Sequence, residues 1–219
     1  MKLFIDSGNI ADIQKLADIG IIDGVTTNPS LLVKEPGDYR ENLKKICQIV
    51  KGPVSGEVTA TDFAGMMTQG KDIAKIDQHM IVKVPLTRDG IKACKTLSAE
   101  GIRVNVTLCF SAAQALLAAK AGATFVSPFV GRLDDIATNG MDLIREIVEI
   151  YNNYDFTTEI LVASCRHPIH VTEAARMGAD ICTCPPAVIE QLFNHPLTSI
   201  GLEKFLKDWE KAQSAAAAR

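Results

Sequence analysis

Met80-Ile81-Val82-Lys83-Val84-Pro85 reads as a buried β-strand with a lysine set in its middle. Lysine is among the residues least often fully buried. Two readings of Lys83 stay open on this strand alone. Either its stem runs out to solvent or its ammonium pairs with a carboxylate, or burial disfavours the charged form and supplies the neutral amine that condenses with carbonyls. A lysine at its ordinary pKa of ~10.4 is neutral to about one part in 2500 at pH 7, and a downward shift of ~3 units raises that fraction about a thousandfold.

Runs of the same kind recur on both sides of this strand and alternate with helical segments. Strands are predicted at residues 2–6, 24–27, 54–58, 80–84, 103–107, 124–129, 159–164 and 180–184, and helices at 10–19, 39–50, 63–76, 89–99, 111–121, 141–151, 169–177 and 187–193. Gly20, Gly101, Gly122 and Gly178 follow four of the helices, where left-handed caps belong. Eight β-strands each followed by a helix within 219 residues predict an α/β fold, a single (β/α)8 TIM barrel at the lean end of its size range. An open doubly wound sheet would want a glycine-rich phosphate loop after its first strand, and Ser7-Gly8-Asn9 supplies one glycine. No Pro/Gly/Ser linker divides the chain, so residues 1–219 are expected to form one barrel domain with an added C-terminal helix at about 198–213. The run Ala215 to Ala218 is expected to be frayed or appended.

Strand parity sharpens the expectation, because alternate residues face opposite sides. Leu3 and Ile5 oppose Asp6, Val54 and Val58 oppose Glu57, and Val82 and Val84 oppose Lys83. Val104, Val106 and Leu108 oppose Asn105 and Thr107, and Leu161 and Ala163 oppose Ser164 and Arg166. The polar member always lies toward the carboxyl end of its strand. In a barrel these groups would converge at the mouth where active sites are built, which favours the chemical reading of Lys83.

Composition excludes several function classes. The chain is 47% hydrophobic with a net charge of −3, and no basic cluster tracks a phosphodiester backbone, so nucleic acid is not an expected partner. The N-terminus reaches Asp6 too soon for a signal-peptide core and no apolar run approaches the ~18 residues of a span, so no membrane is expected and a soluble, cytoplasmic protein is. Six cysteines, Cys47, Cys94, Cys109, Cys165, Cys182 and Cys184, lie in apolar segments and read as reduced, packed thiols. Cys182 and Cys184 are one residue apart rather than two, and His167 and His170 lack nearby carboxylate ligands in sequence, so no metal site is expected.

A Schiff-base lysine needs proton shuttles, and Asp6 and Glu57 are the carboxylates at hand, with Thr107 placed to hold a water between Glu57 and the amine. Two ionised carboxylates would raise the pKa of Lys83, so one must be protonated or act through water. The competing reading is an ion pair holding an inert lysine. Arg132, after the sixth strand, and Arg166, after the seventh, would reach the same rim with Ser164 and suit a phosphate monoester. With Asn28 and Asn105 these groups describe a site for a phosphorylated polyhydroxy carbonyl compound, a sugar phosphate.

Asp6, Val25-Thr26-Thr27-Asn28-Pro29-Ser30, Glu57-Val58, Ile81-Val82-Lys83-Val84-Pro85, Asn105-Val106-Thr107-Leu108-Cys109-Phe110-Ser111, Ser127-Pro128-Phe129-Val130-Gly131-Arg132 and Ser164-Cys165-Arg166 together resemble the transaldolase family over nearly the whole chain. The likeness is closest to its short members, whose ending is similar to Pro185-Pro186-Ala187-Val188 through His195-Pro196-Leu197. The resemblance implies that Lys83 forms an imine with the ketose, that Glu57 and a water on Thr107 move protons, and that Asp6 serves carbon–carbon cleavage. It further implies that Asn28, Asn105 and Ser127 bind the dihydroxyacetone unit, that Phe129 shapes the wall, and that Arg132, Ser164 and Arg166 hold the phosphate. The implied reaction moves a dihydroxyacetone unit from sedoheptulose 7-phosphate or fructose 6-phosphate to glyceraldehyde 3-phosphate or erythrose 4-phosphate, within the pentose phosphate pathway and with no cofactor.

The alternative is fructose 6-phosphate aldolase, which usually carries Gln in place of Glu57, Tyr in place of Phe129, and no Asn at the position of Asn105. A more distant alternative is a non-catalytic sugar-phosphate-binding barrel. Leu202, Phe205, Leu206 and Trp209 fall on one face of a terminal helix, which would pack on its own barrel or on another chain. In the short members this helix reaches a neighbour, which implies a homopentamer or homodecamer.

Overall fold

The computed structural model describes residues 1–217. Eight parallel strands close into a barrel in sequence order: β1 (Lys2–Asp6), β2 (Gly24–Thr26), β3 (Val54–Glu57), β4 (Met80–Pro85), β5 (Val104–Cys109), β6 (Phe125–Pro128), β7 (Glu159–Val162) and β8 (Ile181–Cys184). Around them run α1 (Ile10–Ala17), α2 (Pro29–Leu32), α3 (Tyr39–Val50), α4 (Phe63–Ala74), α5 (Arg88–Ala99), α6 (Ala112–Ala121), α7 (Val130–Asp134), α8 (Gly140–Asn153), α9 (Pro168–Met177), α10 (Pro186–Gln191) and α11 (Pro196–Ala217). This is the (β/α)8 barrel with its added C-terminal helix. The short helices α2 and α7 have no counterpart in the sequence reading, because four or five residues are too few to show a helical period.

Two apolar layers hold the barrel. Between sheet and helices lie the outward residues of the strands, among them Ile5, Val54, Val82, Val84, Val104 and Val106, packed on Ile13, Leu43, Met66, Leu97 and Ile144 from the helices. Each such side chain contributes about 1.5–3 kcal/mol by leaving water. The floor of the barrel interior is a smaller cluster of Phe4, Ile81, Phe125, Leu161, Ala163 and Ile181. Phe4 and Phe125 meet edge to face across it, 6.1 Å between centroids and 78° between planes. Gly24 begins β2 because a Cβ there would lie 2.5 Å from the Phe4 ring. Side-chain caps start the helices: Asn9, Asp38, Asp62, Thr87, Ser111 and Asn139 accept N–H groups of the first turns of α1, α3, α4, α5, α6 and α8.

Parity holds for β1, β3 and β4 and fails at the carboxyl ends of β5 and β7. Leu108 has a φ of 60° and the β5–β6 register shifts there, so Cys109, not Leu108, joins Val104 and Val106 in the outer layer. In β7 it is Leu161 and Ala163 that point into the barrel. They share the inward side expected of Ser164 and Arg166. Regular pairing stops at Val162, Ala163 bridges to Phe129, and Ser164 turns through a φ of 61°. Cys165 therefore packs into the outer layer and not with Leu161 and Ala163, although the alternation of the strand would have put all three on one face.

Helix α11 buries none of its side chains. Phe205 is 71% and Trp209 64% exposed, so the face read from the sequence does not pack on its own barrel. Among the described residues no helix is long and apolar enough to cross a membrane.

Candidate active site

At the carboxyl end of the barrel, above the Phe4 cluster, the inward residues become polar. Register puts Glu57, Lys83 and Asn105 in one row across β3, β4 and β5, and pairs Asp6 with Thr26 across β1 and β2. A cavity of about 210 Å³ opens here, lined by Asp6, Thr26, Asn28, Lys83, Ser127, Phe129, Arg132, Ser164, Arg166 and Thr183 together with Ala163, Cys165 and Pro185.

Lys83 is 5% exposed. Its Nζ donates to the Thr27 carbonyl at 3.0 Å and lies 3.1 Å from Glu57 Oε2. Both readings of the lysine thus meet in one geometry: the amine is buried in the cavity wall and it has a carboxylate partner. Such a pair is costly to bury unless other hydrogen bonds complete it, and the Thr27 carbonyl supplies one. Glu57 offers an acceptor within one proton transfer of the amine.

Asp6 is held by Thr26, whose Oγ1 donates to Oδ1 at 2.7 Å, and Thr26 in turn meets Thr183 Oγ1 at 2.6 Å. Burial pushes the Asp6 carboxyl above the usual carboxylate range, against the lowering effects of the Thr26 hydroxyl and the Lys83 charge. The two acids beside Lys83 therefore differ: Glu57 is ion-paired and Asp6 takes up a proton more readily than an ordinary aspartate.

Thr107 is 1% exposed, and its hydroxyl has no hydrogen-bond partner among the described residues. A buried hydroxyl without a partner costs about 1–3 kcal/mol, so the site favours a polar occupant there. Asn105 is held by the protein through both amide atoms: its Nδ2 donates to Ser55 Oγ at 3.2 Å and its Oδ1 accepts from Ser127 Oγ at 2.8 Å. Neither Asn105 nor Glu57 nor Thr107 lines the open cavity. Asn105 and Glu57 reach it through Ser127 and Lys83, and Glu57 lines a second cavity with Pro29, Tyr39 and Gln69. Asn28 caps α2, its Oδ1 accepting the Leu31 N–H at 2.9 Å, which leaves its amide N–H groups for the cavity.

The rim is cationic. Arg132, on α7, stacks its guanidinium 5.0 Å from the centre of the Phe129 ring. Phe129 itself is braced by Phe110 at 5.8 Å. Arg166 pairs with Asp135 at 2.9 Å, both side chains half-exposed. Gly131 lets α7 approach this turn, because a Cβ on it would strike the Ser164 carbonyl and lie 2.6 Å from Arg166 Nε. A strained residue at Ser164 between two site elements fits the tendency of functional sites to store backbone strain.

Several site residues escape the sequence reading. Thr26 and Thr183 follow the same parity as Asp6 and would have emerged had parity been carried to β2 and β8. Ser55 and Asp135 act through partners far away in sequence, and His170, although it meets Arg166 four residues back, reaches Asp134 only through the fold. The cysteines are all free and buried. Burial pushes the Cys94 and Cys109 thiols up to about 11. The sulfurs of Cys165, Cys182 and Cys184 lie within 4.8 Å of one another, a grouping of three possible metal-ligating atoms that spacing hid because Cys165 comes from the turn after β7.

A family model described as Transaldolase/Fructose-6-phosphate aldolase matches residues 3–217. A probable transaldolase of Anaeromyxobacter sp. (strain K) is 58% identical over 215 residues, covering 98% of this chain and 99% of the relative. Probable transaldolases of Sinorhizobium medicae (strain WSM419) and Nitrosopumilus maritimus (strain SCM1) are 60% and 57% identical, covering 96% and 98% of this chain and 97% of each relative.

Proposed function

The chain belongs to the transaldolase/fructose-6-phosphate aldolase family, and from that premise we propose that it transfers a dihydroxyacetone unit between sugar phosphates through an imine at Lys83. The observation that carries the reading is the buried Lys83 amine 3.1 Å from Glu57, in a cavity rimmed by Arg132 and Arg166.

The ketose enters with its phosphate at the rim and its carbonyl at Lys83. Glu57 takes the ammonium proton, directly or through a water on the unpartnered Thr107 hydroxyl, and the free amine adds to the carbonyl. The same proton returns to the carbinolamine hydroxyl, which leaves as water. Asn28 and Ser127 hold the hydroxyls of the three-carbon unit, and Asn105 holds Ser127. Asp6, in its ionised form, takes the proton of the C4 hydroxyl while the C3–C4 electron pair flows into the iminium. An aldose phosphate departs and an enamine stays on Lys83. The reverse steps then add the enamine to an acceptor aldehyde, with Asp6 returning its proton. Asp6 must both take and give a proton, and a carboxyl raised by burial above the usual carboxylate range suits both tasks better than an ordinary aspartate. The protonated imine is the electron sink, so the scheme needs no cofactor.

Ketose donors are sedoheptulose 7-phosphate or fructose 6-phosphate, and acceptors are glyceraldehyde 3-phosphate or erythrose 4-phosphate, the interconversions of the pentose phosphate pathway in the cytoplasm. The exposed apolar face of α11 supports a ring-forming homo-oligomer, a pentamer or decamer. Borohydride reduction in the presence of fructose 6-phosphate should leave a three-carbon adduct on Lys83, and turnover of fructose 6-phosphate should depend on added erythrose 4-phosphate. Turnover without acceptor would identify an aldolase instead. Absence of any adduct would leave a sugar-phosphate-binding barrel.

A further inference from the structure

Arg166 reaches the rim from the turn after β7, and among the described residues the one side-chain partner of its guanidinium is a half-exposed Asp135, an interaction of little strength in water. Its main chain is held differently. His170, on α9, is 4% exposed, and its Nδ1 accepts the Arg166 backbone N–H at 3.2 Å. Its Nε2 lies 2.9 Å from Asp134 Oδ2. The two contacts specify one tautomer, with the lone pair on Nδ1 and the proton on Nε2. Asp134 is engaged on its other side as well, where Oδ1 accepts the Gly140 N–H at 2.9 Å at the start of α8. One imidazole therefore joins the turn that carries Arg166 to the helix α7 that carries Arg132.

We propose that His170 is a positioning residue for the phosphate grip: its neutral ring fixes the Arg166 main chain relative to α7, so that the two guanidiniums close on one phosphomonoester. The inference rests on the reading of Arg132 and Arg166 as the phosphate-binding groups. Displacements of about 1 Å in such a supporting shell can reduce function a hundredfold.

The charge state of the ring matters to this role. His170 faces Asp134 from α7, the Arg166 turn, Cys184 at the end of β8, and His167 and Glu173 from its own segment. The His167 ring lies 3.9 Å away, centroid to centroid. Burial and His167 push the His170 pKa below its ordinary value, against Asp134 and Glu173. The ring is therefore neutral at pH 7. Protonation at lower pH would set an N–H on Nδ1 against the Arg166 N–H, two donors facing each other, and the grip would loosen.

Two substitutions separate the two contacts. His170→Asn retains an acceptor near the place of Nδ1 and loses the donor to Asp134, whereas His170→Gln retains a donor near Nε2 and loses the acceptor. His170→Gln should raise KM for fructose 6-phosphate tenfold or more with kcat changed less than about threefold, and should weaken competitive inhibition by inorganic phosphate in parallel. His170→Asn keeps the Arg166 contact but breaks the link to α7, so it should impair both, by a smaller factor than His170→Gln. As pH falls below neutrality the ratio of wild-type to His170→Asn phosphate affinity should drop, a ratio in which the titration of phosphate itself cancels. Nitrogen NMR of the wild-type imidazole should show the neutral Nε2–H tautomer at pH 7, a readout that needs no variant.

Equal impairment by the two substitutions, an unchanged KM in His170→Gln, a flat affinity ratio, or a charged ring at pH 7 would each overturn the proposal. Borohydride labelling of wild-type Lys83 separates this from the broader reading: if Lys83 is labelled and His170→Gln binds normally, the positioning role alone is wrong. If Lys83 is never labelled, the transfer reaction itself is wrong.

Discussion

Glu57 Oε2 stands 3.1 Å from Lys83 Nζ, with the two side chains only 17% and 6% exposed. An ion pair so placed can hold the lysine or serve as the path by which its proton leaves. Replacement of Glu57 by Gln keeps the shape and removes the proton acceptor. The expected result is a fall in kcat of about 10²–10⁴, with slow adduct formation on borohydride treatment. A Glu57→Gln enzyme forming the imine at the wild-type rate would show that the pair is structural. Lys83→Met should abolish both turnover and adduct.

Asp6 has its carboxyl raised by burial, and the Thr26 hydroxyl works against that rise. In the proposed reaction the ionised form starts carbon–carbon cleavage, so kcat/KM should fall on the acid side at a pH above that of an ordinary aspartate. Thr26→Val removes the hydrogen bond that favours the carboxylate and should move this limb to still higher pH. A limb moving downward would contradict the assignment. Asp6→Asn should lower kcat about 10²–10⁴-fold while leaving imine formation intact, which single-turnover trapping can separate.

Phe129 lines the cavity without a hydroxyl, and in the proposed reaction a hydroxyl there would orient water toward the enamine. Phe129→Tyr should therefore raise release of free dihydroxyacetone from fructose 6-phosphate at the expense of transfer. An unchanged ratio of the two products would refute this account of the partition.

Gly24 faces the Phe4 ring at 2.5 Å and the Pro53 carbonyl at 2.7 Å from where a Cβ would sit. Neither a backbone carbonyl nor a ring wedged against Phe125 can yield easily, so Gly24→Ala should destabilise the fold by about 1–3 kcal/mol. Denaturant unfolding measures it, and an unchanged midpoint would mean that the barrel floor relaxes freely.

Helix α11 leaves Leu202, Phe205, Leu206 and Trp209 exposed, an arrangement a lone chain has no reason to keep. Sedimentation should give a mass several times 23.7 kDa, and Phe205→Ser with Trp209→Ser should lower it. A wild-type protein that sediments as a monomer would end the proposal of a ring.

The barrel and the position of Lys83 were legible in the chain because both depend on alternation within short segments. Asp6, Glu57, Lys83, Asn105 and Thr107 were found by the period of two, and that period is a property of the local backbone. The same rule misplaced Leu108 and the partners of Ser164, where φ turns positive and the period is lost. It could not show that Asn105 spends its amide on Ser55 and Ser127, or that Thr107 is left with an unpartnered hydroxyl.

By itself the sequence determined the alternation of strand and helix, the inward lysine, and the residue types available to it. Which carboxylate touches the amine, which one is lifted by burial, and how His170 joins the Arg166 turn to α7 were decided only by the closed tertiary structure. The reason is physical: the direction of a side chain within a strand follows from neighbouring peptide geometry, whereas hydrogen bonds and desolvation depend on atoms that closure of the barrel brings together from distant parts of the chain.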